Sequence, residues 1–445
     1  MTLDTADLPP ALIEAALKAG ADAADAIAVV SSDIGVSVRE GALEEAEGSD
    51  SVDYGLRVLI GQRQACVSAS DPAAIEELAA RAVAMAEAAP EDPYCGLADT
   101  EDLYQGDAPD LELCDPSDPP SPEDLKALAL RAEDAALSVD GVAQVESAGA
   151  GARRSHLFIA ASNGFAGNYA RTGASISVSA VAGEGLGMET DYDFASRIWA
   201  SDLPDPADIG ARAGQRAAER LNPRKAKTGA YPVLFDERIS GGLVGHIMAA
   251  ISGAAVARGA SWLKDAMGEQ VLPGDLDILD DPFRKRASGS RPFDGEGMSI
   301  GPRKLVENGV LMGWRMDTAA ARQLGLKAPG GARRGLGGPP SPGMSNLSLT
   351  QGQRTREDLI REMGEGLVVT SLIGSSINPT TGAYSRGASG FWVEGGEIAY
   401  PVNELTIAGS LPAFLKTMIP ANDADMSKSL ISPSVLVEGL TVASG

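Results

Sequence analysis

The stretch YPVLFDERISGGLVGHIMAA, residues 231–250, sets an apolar strand against a helix with one acidic residue between them. Tyr231 to Phe235 is a short run of the kind that sits inside a sheet. Asp236 stands where a helix N-cap belongs, and the helix it opens is predicted to run toward Arg258. That helix is crowded with small residues: Gly241, Gly242, Gly245, Ala249, Ala250, Ser252 and Gly253. Each helical glycine costs roughly 1 kcal/mol against alanine. Such a cost predicts a neighbour packed close against the helix backbone. The helix also carries His246, one of only two histidines in the chain; the other is His156. A zinc site takes three or four ligands from His, Cys, Asp or Glu. The three cysteines, Cys66, Cys95 and Cys114, all precede this helix, so none follows to complete such a site.

The flanks have the punctuation of a strand-rich protein. The 445 residues exceed one ordinary core and suggest two or three domains. Hydrophobic residues make up 44% but aromatics only 4%, so the cores are expected to be built from Val, Leu, Ile and Ala. The 52 glycines and 27 prolines point to many tight turns. The net charge of −25 argues against a direct grip on nucleic acid and against an anionic membrane surface. Residues 1–10 contain no basic run, and no apolar run reaches the ~20 residues of a membrane span. The irregular cysteine spacing gives no disulfide framework. A soluble, reducing, cytoplasmic setting is expected.

Upstream, a short helix is predicted from about Pro10 to Ala19. Strand-like runs follow at Ala26–Val30, Gly35–Arg39, Asp53–Ile60 and Gln64–Ser68, an antiparallel meander. Asp71 reads as the cap of a helix from Pro72 to Ala88. Pro90 to Pro122 is acidic and proline-rich and reads as an extended connector. Ser121 to Asp124 opens a second helix with a near capping box. Strands are expected at Val142–Ala148, His156–Ala161, Phe165–Val181 and Gly187–Ala200, with Asn163-Gly164 as a hairpin turn. Asp205 caps a third helix reaching Leu221. The pairs Asp71-Pro72 and Asp205-Pro206 hint at an internal repeat of strands plus a covering helix. Beyond Trp262 to Met267, strands and hairpins return, with turns at Asn308-Gly309 and Gly395-Gly396. A helix is expected around Arg356–Met363, then strands at Leu367–Leu372, Phe391–Val393, Glu397–Tyr400 and Val435–Val442. The expected fold is α+β. Residues 1–225 form an N-terminal part of antiparallel strands covered by helices. Residues 226–445 form a large antiparallel sheet or barrel-like part around the His246 helix.

Several segments of the second half resemble the TldD/PmbA family, once labelled modulators of DNA gyrase. They are Arg291-Pro292-Phe293-Asp294-Gly295-Glu296-Gly297, Tyr384 through Trp392, Glu397 through Val402, and Leu405 through Gly409. Val36 through Gly41 and Tyr54 through Val58 extend the likeness into the first half, so it covers nearly the whole chain. The family has two branches that pair as a heterodimeric protease. The TldD branch carries a His-Glu-x-x-x-His helix and a later cysteine that bind the metal; the TldE, or PmbA, branch lacks them. Laid on this sequence, the second histidine falls on His246, the first on Gly241 and the glutamate on Gly242. The resemblance therefore implies the TldE/PmbA branch. It implies a TldD-like partner subunit holding zinc, no metal in this chain, and no catalytic residue of its own. The substrates it implies are unfolded or extended peptides, such as a microcin precursor and an antitoxin in some bacteria.

The residues leave other readings open. His246 could line a substrate or partner cleft or be a satisfied histidine on a packed helix; His156 reads as structural. Arg291, Asp294 and Glu296 occupy a glycine-flanked loop where charges serve function or simply make turns. Tyr384, Ser385 and Arg386 are read as a loop before a strand, with Arg386 holding a peptide carboxylate or carbonyl, or bracing a hairpin. The stretch Gly330 to Gly338 lacks the Gly-Lys-Ser/Thr of a phosphate loop and is expected to be mobile, near a cleft or dimer contact. Ser385 and Ser389 have no assignable histidine for serine hydrolysis. The competing function is a homodimeric regulatory or binding protein without proteolysis. A weaker one is an independent hydrolase using Asp294 and Glu296.

Overall fold

A computed structural model describes residues 5–70 and 74–444. The first half is one six-stranded antiparallel sheet. Its strands are β1 (Ala23–Arg39), β2 (Ala42–Ile60), β3 (Arg63–Ala69), β4 (Val142–Ala161), β5 (Ala166–Ala182) and β6 (Glu189–Arg197). They lie in the order β3-β2-β1-β4-β5-β6, so β3 and β6 are the edges. The separate short strands expected at Ala26–Val30 and Gly35–Arg39 are one strand, β1, and those around Ala148 and His156 are one strand, β4. Small residues such as Ser31, Ser32, Gly149 and Gly151 look like interruptions in sequence, yet each keeps its register with a neighbouring strand. The Asn163-Gly164 turn joins β4 to β5 as expected, with Gly164 at φ +97°.

Four helices cover this sheet: α1 (Leu8–Lys18), α2 (Ile75–Ala88), α3 (Pro122–Leu137) and α4 (Pro206–Glu219). The expected cap at Asp71 and its Pro72 lie outside the described residues. α1 and α2 bury Leu12, Leu78 and Val83 against Tyr54, Leu56 and Val58 of β2. α3 and α4 bury Leu125 and Ile209 against Ile176 and Val178 of β5. The Ser121–Asp124 capping box and the Asp205 cap both form. Residues 90–121 carry one short helical turn and bury Ala98, Leu103, Leu111 and Leu113.

The second half begins with β7 (Gly229–Phe235), α5 (Glu237–Ala250) and α6 (Gly253–Ala257). The single helix expected from Glu237 to Arg258 is therefore broken at Ile251 and Ser252. There the chain turns so that Arg315 N donates to Ile251 O and Gly253 N donates to Arg315 O. Short strands follow: β8 (Ile278–Asp281), β9 (Arg303–Glu307), β10 (Val310–Leu311), β11 (Ala332–Arg333), β12 (Ser341–Pro342) and β13 (Asn346–Leu349). Between them lies α7 (Thr318–Leu324), whose seven residues gave no helical signal long enough to read. After α8 (Arg356–Met363) come β14 (Gly366–Ile377), β15 (Ala383–Glu394), β16 (Glu397–Ser410), β17 (Ile419–Pro420), β18 (Leu430–Ile431) and β19 (Val435–Ser444).

Five of these close into a barrel. β7 pairs with β14, β14 with β15, β15 with β16, β16 with β19, and β19 returns to β7. All the pairings are antiparallel except β7–β14. The barrel-like expectation is borne out, with that one parallel pair added. α5 lays Leu243, Val244, Ile247 and Met248 into the same core as Phe235, Val369, Trp392, Ile407 and Val437 of the barrel. These spacings of one, three and four place one helical face inward. No helix among the described residues is long and apolar enough to cross a membrane.

Candidate functional site

The opposite face of α5 carries Gly241, Gly242, Gly245 and His246. Asp236 caps the helix by accepting from Arg238 N at 3.2 Å, and Ser434 accepts from Glu237 N. The neighbour expected from the glycines is present at only some of them. A Cβ on Gly241 would meet Leu430 Cδ2 at 2.8 Å, and one on Gly253 would meet Met316 Cγ at 2.6 Å. Gly242 and Gly245 face open space. The space beside residue 241 is thus filled by leucine, and the space beside residue 242 is empty.

His246 reaches Tyr384 edge-on, with ring centroids 5.7 Å apart, and Tyr384 packs in the same way on Phe414. Tyr384 and Arg386 are not in a loop, as the sequence suggested. They lie inside β15, Tyr384 opposite Ile377 of β14 and Gly409 of β16, Arg386 opposite Ile407 of β16, and two residues apart they share one face. The polar serine, arginine and glycine there hid a strand. Tyr384 is 3% exposed, and its hydroxyl, like the buried Nε of Arg386, has no hydrogen-bond partner. Burial, with the Arg386 guanidinium adding to it, lowers the pKa of His246. Burial pushes Tyr384 up to about 12, against the opposing pull of Arg386. At neutral pH the corner therefore holds a neutral imidazole, a protonated phenol and a guanidinium. It is rich in donors, and a divalent cation at His246 would face the Arg386 charge. No group of three or more His, Cys, Asp or Glu converges anywhere among the described residues. These residues do not fit a metal centre.

A cleft of about 590 Å³ opens at the start of α5. Arg238 and Gly241 of α5, Arg212 and Arg216 of α4, and Tyr192 and Phe194 of the edge strand β6 line it, with Lys428 and Leu430. Tyr192 and Phe194 are 52% and 59% exposed and stack on each other. Sequence reasoning passed over both; the alternation Asp191-Tyr192-Asp193-Phe194 was a usable signal, because it puts two aromatics on one face of a strand.

Arg291 and Asp294 lie elsewhere, in the glycine-flanked loop before β9. Asp294 is 1% exposed, and its carboxylate accepts from the backbone N–H of Glu296, Met298, Gly331 and Ala332. Burial pushes its carboxyl up while these four donors pull it down. Asp294 thus shapes the loop. Glu296 accepts from Thr318 N at 2.9 Å, and its pKa is pushed up to about 7 by burial, then by Asp294. Neither carboxylate has the open approach an acid–base pair needs.

The Gly330–Gly338 stretch is not free to move. Gly331 and Ala332 hold Asp294, and Arg334 donates to Asp25 of β1 at 2.9 Å, with a side chain 1% exposed. Asp25 is shared with Arg57, so the stretch is pinned to the first sheet. His156 has the partners of a structural residue: it bonds Asn168 at 2.9 Å, and its ring lies 4.1 Å from that of Phe158, tilted by 34°.

The chain matches three family models in succession. They are PmbA/TldA metallopeptidase domain 1 at residues 24–86, its central domain at 115–221, and its C-terminal domain at 228–444. It is 36% identical to metalloprotease PmbA of Escherichia coli O157:H7, over 95% of this chain and 92% of that one. It is also 36% identical to the PmbA homologue of Haemophilus influenzae, over 97% and 94%. Among solved structures, a protein of Bacteroides thetaiotaomicron described as a modulator of DNA gyrase superposes with a TM-score of 0.91 at 26% identity, covering 100% of both chains. TldE of Thermococcus kodakarensis shares the fold, with a TM-score of 0.85 at 23% identity over 98% of this chain and 100% of that one. Three successive family models along the chain, and 36% identity to PmbA relatives over more than nine-tenths of both chains, place this chain in the PmbA/TldD metallopeptidase family.

Proposed function

We propose that this chain is the subunit without metal in a heterodimeric metalloprotease of the TldD–TldE type, acting on unfolded or extended peptides. The observation that carries the reading is the face of α5 around His246. Leu430 fills the space at Gly241, Gly242 presents no side chain, and Arg386 places a positive charge beside the one histidine. In this reading the metal belongs to a TldD-like partner. The relatives named TldD, such as the Buchnera aphidicola homologue 27% identical over 55% of this chain, make such a partner chemically reasonable.

The chain's own contribution is then to bind and position. The cleft at the start of α5 borders the edge strand β6, along which an extended peptide can pair with backbone groups beyond Tyr192, whose own N–H and C=O are taken by Asp191 and Arg216. Tyr192 and Phe194 supply apolar contact, and Tyr384 and Arg386 offer donors to a carbonyl oxygen. The test is purification of this chain alone, and with a relative that has the intact His-Glu-x-x-x-His helix, followed by metal analysis and a peptidase assay. The expected result is stoichiometric zinc and cleavage only for the pair. Zinc and peptide cleavage by this chain alone would refute the reading. Stable self-association with no affinity for the relative would favour the homodimeric regulatory alternative.

A further inference from the structure

The two faces of the edge strand β6 differ in a way that bears on which peptides it can hold. Residues alternate across a strand, so Tyr192 and Phe194 share one face and Asp191 and Asp193 the other. Opposite Tyr192 and Phe194 on β5 stand Ser179 and Ser177, too small to cover either ring. Met188, just before the strand, is exposed as well. This face is an open apolar strip over a floor of serines.

The other face is cationic. Asp193 is shared by Arg212 and Arg216, at 2.8 Å each, and Asp191 by Arg220 and Arg238, at 3.2 and 2.8 Å. The carboxylate of Asp193 is only 14% exposed, while Arg212 keeps 43% of its side chain in solvent and Arg216 28%. Arg216 also reaches Tyr192 O at 3.4 Å, which brings a guanidinium to the open edge itself. Arg197, at the end of β6, donates to Ser196 O at 3.0 Å and forms no ion pair among the described residues. Across the cleft Lys428 is answered by Glu237 at 2.6 Å, and Asp425 accepts from Ser427 N at 2.9 Å. Five cations and three carboxylates line the cleft of a chain whose net charge is −25, so the sign of the molecule is locally reversed there.

We infer that the cleft selects extended peptides in which apolar residues alternate with acidic ones; the inference rests on the reading of β6 as the edge along which a peptide lies. A strand added beyond Tyr192 turns successive side chains to opposite faces of the sheet. Those on the Tyr192 face meet aromatic rings. Those on the Asp193 face meet two guanidinium groups whose donors outnumber the carboxylate oxygens already there. A lysine in that position would face Arg212 and Arg216 instead. The charge of the whole chain works the other way and draws basic peptides from afar. Salt screens that pull beyond about 8 Å at physiological ionic strength, so the guanidinium groups at the edge decide what stays bound.

Fluorescence anisotropy of the full chain without a partner, at physiological salt, tests this with a short end-blocked peptide alternating valine and glutamate. One control replaces glutamate by lysine, and another replaces valine by serine. The valine–glutamate peptide is expected to saturate at one per chain and to bind about tenfold tighter than either control, the size of a few exposed charge pairs or of a small apolar contact. Arg197→Gln with Arg212→Gln changes two side chains at the surface. It is expected to erase most of the preference over the lysine peptide and to leave the melting midpoint in place. Phe194→Ser is expected to erase most of the preference over the serine peptide. No saturable binding of the valine–glutamate peptide, equal or tighter binding of the lysine peptide, or an undiminished preference in the double arginine variant would overturn the inference. Binding by the lone chain is a separate readout from cleavage by a pair. Cleavage by the pair with no preference in the lone chain refutes the peptide class alone, and selective binding with no cleavage by the pair refutes the protease alone.

Discussion

The corner around His246 and the loop around Asp294 belong to the same half of the chain and treat buried polar groups in opposite ways. Around Asp294 the buried acceptor has its donors, four backbone N–H groups from two segments. Around His246 the donors of Tyr384 and Arg386 stay unpaired under similar burial. Folding proteins rarely leave buried polar groups unmatched, so the first arrangement reads as scaffold and the second as a place kept for something else. Charge at a site is therefore a poor guide to function by itself. Asp294 is the more acidic-looking candidate in sequence, yet it is the one with no capacity left.

This contrast can be broken most directly at Asp294. Asp294→Ala strands four buried N–H groups and is expected to cost about 3–5 kcal/mol, read as a loss of denaturant midpoint. A variant as stable as the parent would end the scaffold reading. Glu296 sharpens it through pH. Its folded pKa of about 7 lies above the ordinary 4.5, so its favourable contribution is complete below pH 4.5 and is lost as pH rises through 7. Glu296→Gln is thus expected to be near neutral at pH 5 and stabilising by about 2–3 kcal/mol at pH 8 in chemical unfolding. Gly241→His drives a side chain against Leu430 and is expected to cost ~1–3 kcal/mol. Even combined with Gly242→Glu it is expected to recruit no stoichiometric zinc by elemental analysis, because Arg386 remains. Smallest is Tyr384→Phe, expected to change stability by under about 1 kcal/mol, since its hydroxyl has no partner to lose. In the proposed heterodimer with a TldD-like partner the same variant is expected to weaken peptide turnover; unaltered turnover would return Tyr384 to the core.

Local chemistry made part of this legible in advance. The caps at Ser121, Asp205 and Asp236, the Asn163-Gly164 hairpin and the apolar strand before α5 all depend on residues close in sequence, and all form. Strand length was harder. β1 and β4 run through serines and glycines whose strand state is decided by neighbours on either side, not by propensity. The α5 break at Ile251 depends on Arg315, far along the chain. The site was legible as single residues but not as a geometry. Nothing local ties Tyr384 to His246, and nothing local distinguishes an arginine that pairs across the molecule, as Arg334 does with Asp25, from one on a mobile loop.

The Asp25–Arg334 bridge joins positions 309 residues apart and has almost no water around it. Parting the halves would bare two cations and one anion that are now held against one another, so neither half has an inexpensive way to let go first. Heating is accordingly expected to yield one calorimetric transition spanning both halves, and Arg334→Met to split it in two.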